Sequence, residues 1–186
     1  MRILGIDPGF GRTGYGIIDV LGHSYRMVDA GCIETSPKTP IGERLVAIYD
    51  AITTLIHQHA PDEFAVEQLF FARNVTTALT AAEARGVVLL AAQKAGLPVG
   101  EYTPLQVKQA VSGYGRADKK QVQEMVKILL SLREVVKPDD AADALAVAIT
   151  HAHFAVYNEN MARVQASALQ SSALLKQAPA TRRKPT

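Results

Sequence analysis

Apolar residues in this chain run, alternate and recur with different spacings, and each spacing predicts an element. Residues 3–7 (Ile-Leu-Gly-Ile-Asp) form a short apolar run that ends on a carboxylate, a strand entering a glycine-rich turn. Gly9, Gly11, Gly14 and Gly16 punctuate that turn, and Tyr15 to Val20 reads as the hairpin partner. Tyr25 to Thr35 reads as a third strand, with Val28, Ala30 and Cys32 alternating. From Ile41 to about His59 the pattern changes. Leu45, Ile48, Ile52, Leu55 and Ile56 recur every three or four residues, which predicts an amphipathic helix with one buried face.

Beyond Pro61-Asp62 helix and strand alternate. Phe64 to Phe71 predicts a fourth strand, Thr76 to Ala95 a long helix and Pro98 to Tyr102 a short fifth strand. Thr103-Pro104 opens a helix to about Val111, with proline in the first turn where its missing N–H is harmless. Lys119 to Leu132 is helical with Val122, Met125, Val126, Leu129 and Leu130 inward, and Pro138-Asp139 opens a last helix to about His153. Three antiparallel strands followed by alternating helix and strand specify an α/β fold, a mixed five-stranded sheet flanked by helices. Residues 1–156 are expected to form this domain and residues 157–186 a basic, partly disordered tail.

Composition narrows the class. Of 186 residues 48% are hydrophobic and 20% charged, the balance of a globular protein with a substantial core. No run approaches the ~18 consecutive apolar residues of a membrane span. The chain opens directly on a strand, so no signal peptide is expected. Cys32 is the single cysteine, which excludes an intrachain disulfide or a thiolate metal cage and points to a reducing cytoplasm. Net charge is +2, but five basic and no acidic residues follow Glu159, which leaves residues 1–159 with 15 basic against 18 acidic groups. Only a local basic patch would bind nucleic acid.

The acidic residues carry the chemistry. An unpaired carboxylate at the edge of a core costs several kcal/mol, roughly, so Asp7 needs compensation unless it only caps the turn before Pro8-Gly9. Glu67, in the middle of the fourth strand, shares a face with Ala65, Leu69 and Phe71 and has no basic neighbour in that strand. Asp140 and Asp143 fall on one helix face at i, i+3, and the alanines between them allow close approach to a sheet. Asp139 shares a face with Asp143 at i, i+4, and one of Asp139 and Asp140 serves as the helix cap. Two strand carboxylates and a helix pair suit Mg²⁺ or Mn²⁺. Two such ions about 3.5–4 Å apart clamp the attacking water and the leaving oxygen of a phosphodiester.

In sequence these features fall in ILGIDPG with TGYG after it, FAVEQLFFARN, EARGV, QVKQAVSGYGRADKKQV and DDAADALAVAITH. Over residues 2–153 the chain resembles the RuvC family, bacterial crossover (Holliday) junction endodeoxyribonucleases with a ribonuclease-H-like fold. The resemblance implies a metal-dependent nuclease that nicks two strands of like polarity symmetrically at a four-way junction in recombination and repair. It places the catalytic and metal-binding carboxylates on Asp7, Glu67, Asp140 and Asp143, and so prefers Asp140 to Asp139. The fourth ligand varies between Asp and His in the family. Two Mg²⁺ or Mn²⁺ ions per site, a homodimer and a branch-migration complex of the RuvA and RuvB type are further implications.

The helix Thr76–Ala95 is apolar almost all round and is expected to be covered on both sides. A two-fold interface through Ala82, Gly86, Leu89 and Leu90 would supply two symmetric sites; burial inside one subunit is the alternative. Lys108, Arg116, Lys119, Lys120 and Lys127 are the dense basic cluster. Lys108 and Lys119 match family lysines near the scissile phosphate, while Lys127 and Lys120 also suit solvated helix faces. Phe70 matches an aromatic that stacks on a base at the crossover, and Arg73 and Asn74 are candidates to contact bases. Tyr114, between glycines, is a further DNA candidate. His57, His59, His151 and His153 lie near helix ends, where the dipole favours them, and are not expected to bind metal. The rivals are a nucleotide-binding domain with an Asp-Gly phosphate loop, which lacks its second half here, a non-catalytic junction binder, and a related nuclease acting on other branched DNA or RNA–DNA hybrids.

Overall fold

The computed structural model of the chain describes residues 1–69 and 75–155. Its elements are β1 (Arg2–Asp7), β2 (Arg12–Leu21), β3 (Ser24–Glu34), α1 (Ile41–His59), β4 (Glu63–Glu67), α2 (Val75–Lys94), β5 (Val99–Tyr102), α3 (Pro104–Ser112) and α4 (Lys119–Leu129). A last helix, α5, occupies 139–155. The five strands form one sheet in the order β3-β2-β1-β4-β5. β1 pairs antiparallel with β2 and parallel with β4, β2 is antiparallel to β3, and β4 is parallel to β5. The sheet is therefore mixed, as the element pattern predicts.

Side-chain alternation along β1 and β4 divides the core in two. Leu4, Ile6, Phe64 and Val66 point to one face and pack with Ile48, Ile52 and Ile56 of α1 and Ala84, Val88 and Ala92 of α2. Ile3 and Ala65 point to the other, against Val107 and Val111 of α3, Val122 and Val126 of α4 and Leu145 and Ile149 of α5. Asp7 and Glu67 follow the same alternation and emerge on the α5 face, at the C-terminal ends of adjacent parallel strands.

Small residues let α5 sit directly on the sheet. A Cβ on Gly14 would collide with the backbone carbonyl of Asp140, one on Gly5 with Ala144 and Ala148, and one on Gly16 would lie 2.7 Å from Leu145. Gly14 and Gly16 are thus strand residues under a helix. β2 begins at Arg12, not at Tyr15, and only Pro8 to Gly11 remain between β1 and β2.

Two further boundaries, and the burial of one helix, differ from the pattern. β4 ends at Glu67, so Glu67 is its last residue and not its middle. The sheet register explains this: Glu67 faces Tyr102, the last residue of β5, and Thr103 already caps α3, so Leu69 has no partner strand. α4 stops at Leu129, where Leu130 caps it and Ser131 takes a positive φ of 53°. α2 is buried on one face only, through Ala84, Val88, Ala91 and Ala92, while Leu79 and Leu90 are exposed. Among the described residues no helix is long and apolar enough to cross a membrane.

Candidate active site

The turn after β1 fixes Asp7. Thr13 donates to the Gly9 carbonyl at 2.7 Å and Thr35 to the Phe10 carbonyl at 2.6 Å. Arg44, from α1, donates to the Thr35 hydroxyl at 3.0 Å and to the Phe10 carbonyl at 3.2 Å, with its guanidinium 3.7 Å from the Phe10 ring centre. The Pro8–Gly11 segment is held from three elements, and Asp7 with it.

Glu67 lies beside Asp7, and the two carboxyls share a hydrogen bond. Burial, the Asp7 charge and that hydrogen bond push Glu67 up to about 8. Burial and the Asp143 charge push Asp7 up to about 6. Burial and mutual repulsion thus raise both carboxyls, and the pair as a unit gives up its protons above the usual carboxylate range. Asp143 is raised by burial, with Lys119 opposing. Like charges crowd here, and a cation would relieve them.

The lysines come from helices whose starts are set by capping boxes. In α3 Thr103 accepts from the Gln106 amide, and in α4 Asp118 accepts from the Gln121 amide at 2.9 Å. Lys119, the first residue of α4, reaches Asp143 at 2.8 Å and Asp139 at 3.7 Å. Lys108 of α3 joins Lys119, Glu67 and Asp143 around a cleft of about 230 Å³, floored by Val107, Val122 and Ala146.

The remaining acidic residues are already paired. Asp140 accepts from Arg12 at 2.8 Å, and Asp139 from Lys137 at 2.6 Å. Asp140 adds to the negative field at Asp7, and both Asp139 and Asp140 add to that at Asp143. Among the described residues no group of three or more acidic, histidine or cysteine side chains stands ready to hold an ion. Arg12 and Lys119 each hold one of the two α5 carboxylates in an ion pair. The donor set is nevertheless all oxygen and short of positive charge, which fits a hard divalent cation.

Other expected site residues are placed differently. Arg116 and Lys120 are exposed and outside the cleft lining. Phe70, Arg73 and Asn74 lie outside the described residues. His151 is not a helix-end histidine. It is buried within α5, with Nδ1 2.8 Å from the Tyr102 hydroxyl and Nε2 2.5 Å from Glu63. This contact ties α5 to β4 and β5, and residues 49 and 88 positions apart give no local sign of it.

The crossover junction endodeoxyribonuclease RuvC family matches residues 3–151. The chain belongs to the RuvC family. It is 58% identical over 153 residues to the crossover junction endodeoxyribonuclease RuvC of Pelotomaculum thermopropionicum, covering 82% of this chain and 93% of that one. It is similar to the Thermus thermophilus RuvC structure, with a TM-score of 0.80, 40% identity and coverage of 85% of this chain and 97% of that one. T. thermophilus RuvC in complex with a Holliday junction substrate matches with a TM-score of 0.80 and 41% identity, over 83% of this chain and 94% of that one. Both motifs and topology of this RuvC chain thus place a ribonuclease-H-like sheet under the acidic cluster, with β1 at its centre.

Proposed function

We propose that the chain resolves four-way DNA junctions by metal-dependent phosphodiester hydrolysis at the Asp7 cluster, nicking two strands of like polarity. The observation that carries this reading is the half-buried Asp7–Glu67 pair at the ends of adjacent parallel strands, beside two further carboxylates and two lysines. Asp7, Glu67, Asp140 and Asp143 would hold two Mg²⁺ or Mn²⁺ ions, which supply charge stabilisation at the attacking water and the leaving oxygen. Lys119 and Lys108 border the same cleft and would hold the scissile phosphate and offset charge that develops on it. Arg116 and Lys120, exposed near the start of α4, would add sequence-independent phosphate contacts. Phe70, Arg73 and Asn74 are proposed for the crossover bases.

Paired incision needs two sites. The outer face of α2 exposes Leu79, Ala82, Gly86 and Leu90, and among the described residues no atom beyond the adjoining helix backbone lies within 4 Å of a Cβ built on Gly86. A second copy packed there, with Leu89 at its edge, would form an isologous dimer with symmetric sites. A cytoplasmic location, and a RuvA and RuvB type branch-migration complex that delivers the junction, complete the proposal. The basic residues within 157–186 would either add salt-sensitive DNA affinity or play no part in binding, which deletion of this segment distinguishes.

The test is cleavage with Mg²⁺ of synthetic four-way junctions beside duplex, fork and RNA–DNA hybrid substrates. Junctions should be cut symmetrically and the others spared. Faster cutting of hybrids or forks would replace this reading with a related branched-DNA or hybrid nuclease.

A further inference from the structure

Arg12 has no part in the chemistry above, yet it stands on one of its carboxylates. It is the first residue of β2 and pairs in register with Glu34 of β3. Its Nε lies 2.8 Å from Asp140 Oδ2 and its Nη1 lies 3.3 Å from Glu34 Oε1, so one guanidinium spans both acids. The backbone of Asp140 cannot come closer to β2, because its carbonyl already sits against Gly14. What can move is the arginine, whose side chain is 48% exposed and whose second acceptor, Glu34, is 66% exposed. An exposed ion pair is weak and readily exchanged.

We propose that Arg12 is a tethered cation that competes with the incoming divalent ion for Asp140, and that Glu34 is the acceptor that takes Arg12 when the ion binds. The inference rests on the metal reading above. Arg12 is here a positioning residue that sets the affinity of the Asp140 side of the site, as Lys119 pairs with Asp143. The device has a physical use: without the ion, Arg12 offsets part of the charge that Asp140 adds to the repulsion at Asp7. A clamp that orients Asp140 for the metal would have the same resting geometry but the opposite effect when removed.

The experiment is a calorimetric titration of the full-length, DNA-free chain with Mn²⁺ at fixed pH, on wild type, Arg12→Gln, Glu34→Gln and the double variant. Arg12→Gln should bind Mn²⁺ about threefold to fivefold more tightly, the equilibrium equivalent of one exposed ion pair. Glu34→Gln should bind more weakly, and its effect should vanish in the Arg12→Gln background, since Glu34 acts through Arg12. Unchanged or weaker binding by Arg12→Gln overturns the inference, and so does a Glu34→Gln effect of equal size in both backgrounds, which would mark a general field. If none of the four proteins takes up Mn²⁺, the metal reading itself fails and takes the inference with it.

Discussion

At one end of the β1–β2 pair Arg2 stands across from Asp19, and at the other Asp7 stands across from Gly14. Both aspartates sit on the same two strands, but their surroundings are opposite. Asp19 accepts from Arg2 at 2.8 and 3.2 Å and from Arg26 at 2.8 Å, and these hydrogen bonds pull its carboxyl down to about 2. Asp7 has a carboxyl for a neighbour and a backbone-only glycine opposite, and burial pushes it up. A charge that serves folding is satisfied within the chain. A charge left short of counter-ions at the end of a strand is set up for something the chain does not contain.

Substitution should separate the two ends most sharply. Asp7→Asn should lower junction cleavage by ~10³-fold or more, the loss of several kcal/mol of charge stabilisation, while gel-shift binding of the junction persists. Asp19→Asn should leave cleavage intact and cost about 1–3 kcal/mol of stability in urea unfolding, as for a hydrogen bond to a charged group. If Asp7→Asn cuts normally, the contrast collapses. Next in size is Lys119→Met, expected to reduce the single-turnover rate by ~10²-fold with weaker salt dependence of binding. An unchanged rate and salt slope would make Lys119 only the partner of Asp143.

Packing gives a smaller and more structural contrast. Gly14→Ala forces the Cβ against the Asp140 carbonyl, and overpacking of this kind costs about 1–3 kcal/mol while displacing the α5 carboxylates. Gly86→Ala meets no neighbour among the described residues and should raise the helix stability of the monomer by about 1 kcal/mol. It should also perturb any dimer that uses this face, which sedimentation equilibrium reads directly. Equal effects of the two alanines on thermal unfolding would contradict the close seat of α5.

The gentlest probe is pH. The folded values of Asp7 and Glu67 lie above those of the unfolded chain, so the folded state retains protons that the unfolded state has lost. Without metal, stability should therefore fall as pH rises from about 4 to about 8, by up to ~1.4 kcal/mol per pH unit for each retained proton. Asp19 has the opposite sign: its contribution is present above about pH 4 and fades as pH falls toward 2. Asp7→Asn should flatten the first decline and Asp19→Asn the second, in melts followed by circular dichroism. A metal-free protein whose stability rises through pH 4–8 would show that the Asp7 pair is not crowded.

Much of this was legible in the residue pattern because it is local or periodic. The helix at Ile41–His59 follows from Ile48, Ile52, Leu55 and Ile56. Asp7 stands out as the acid that ends an apolar strand and Asp140 and Asp143 stand out in the DDAAD turn, whereas Glu67 reads as a mid-strand residue. Less legible was anything set by a partner far away. Nothing near Glu67 says that β5 ends at Tyr102 and stops the ladder there. Gly14 reads as a turn residue until α5 is seen lying on it. Arg12 and Asp140 are 128 positions apart, and His151 finds Glu63 across 88. The all-round apolar α2 misled in a different way: composition cannot distinguish a face covered by its own subunit from one left open.

The central claim is that the Asp7 end of the sheet holds divalent cation. Anomalous diffraction from crystals soaked in Mn²⁺ tests it most directly. The account predicts a peak in contact with the Asp7 carboxylate and with one or more of Glu67, Asp140 and Asp143, absent in Asp7→Asn. A fully soaked crystal with no peak at Asp7, or with the same peak in Asp7→Asn, would contradict it.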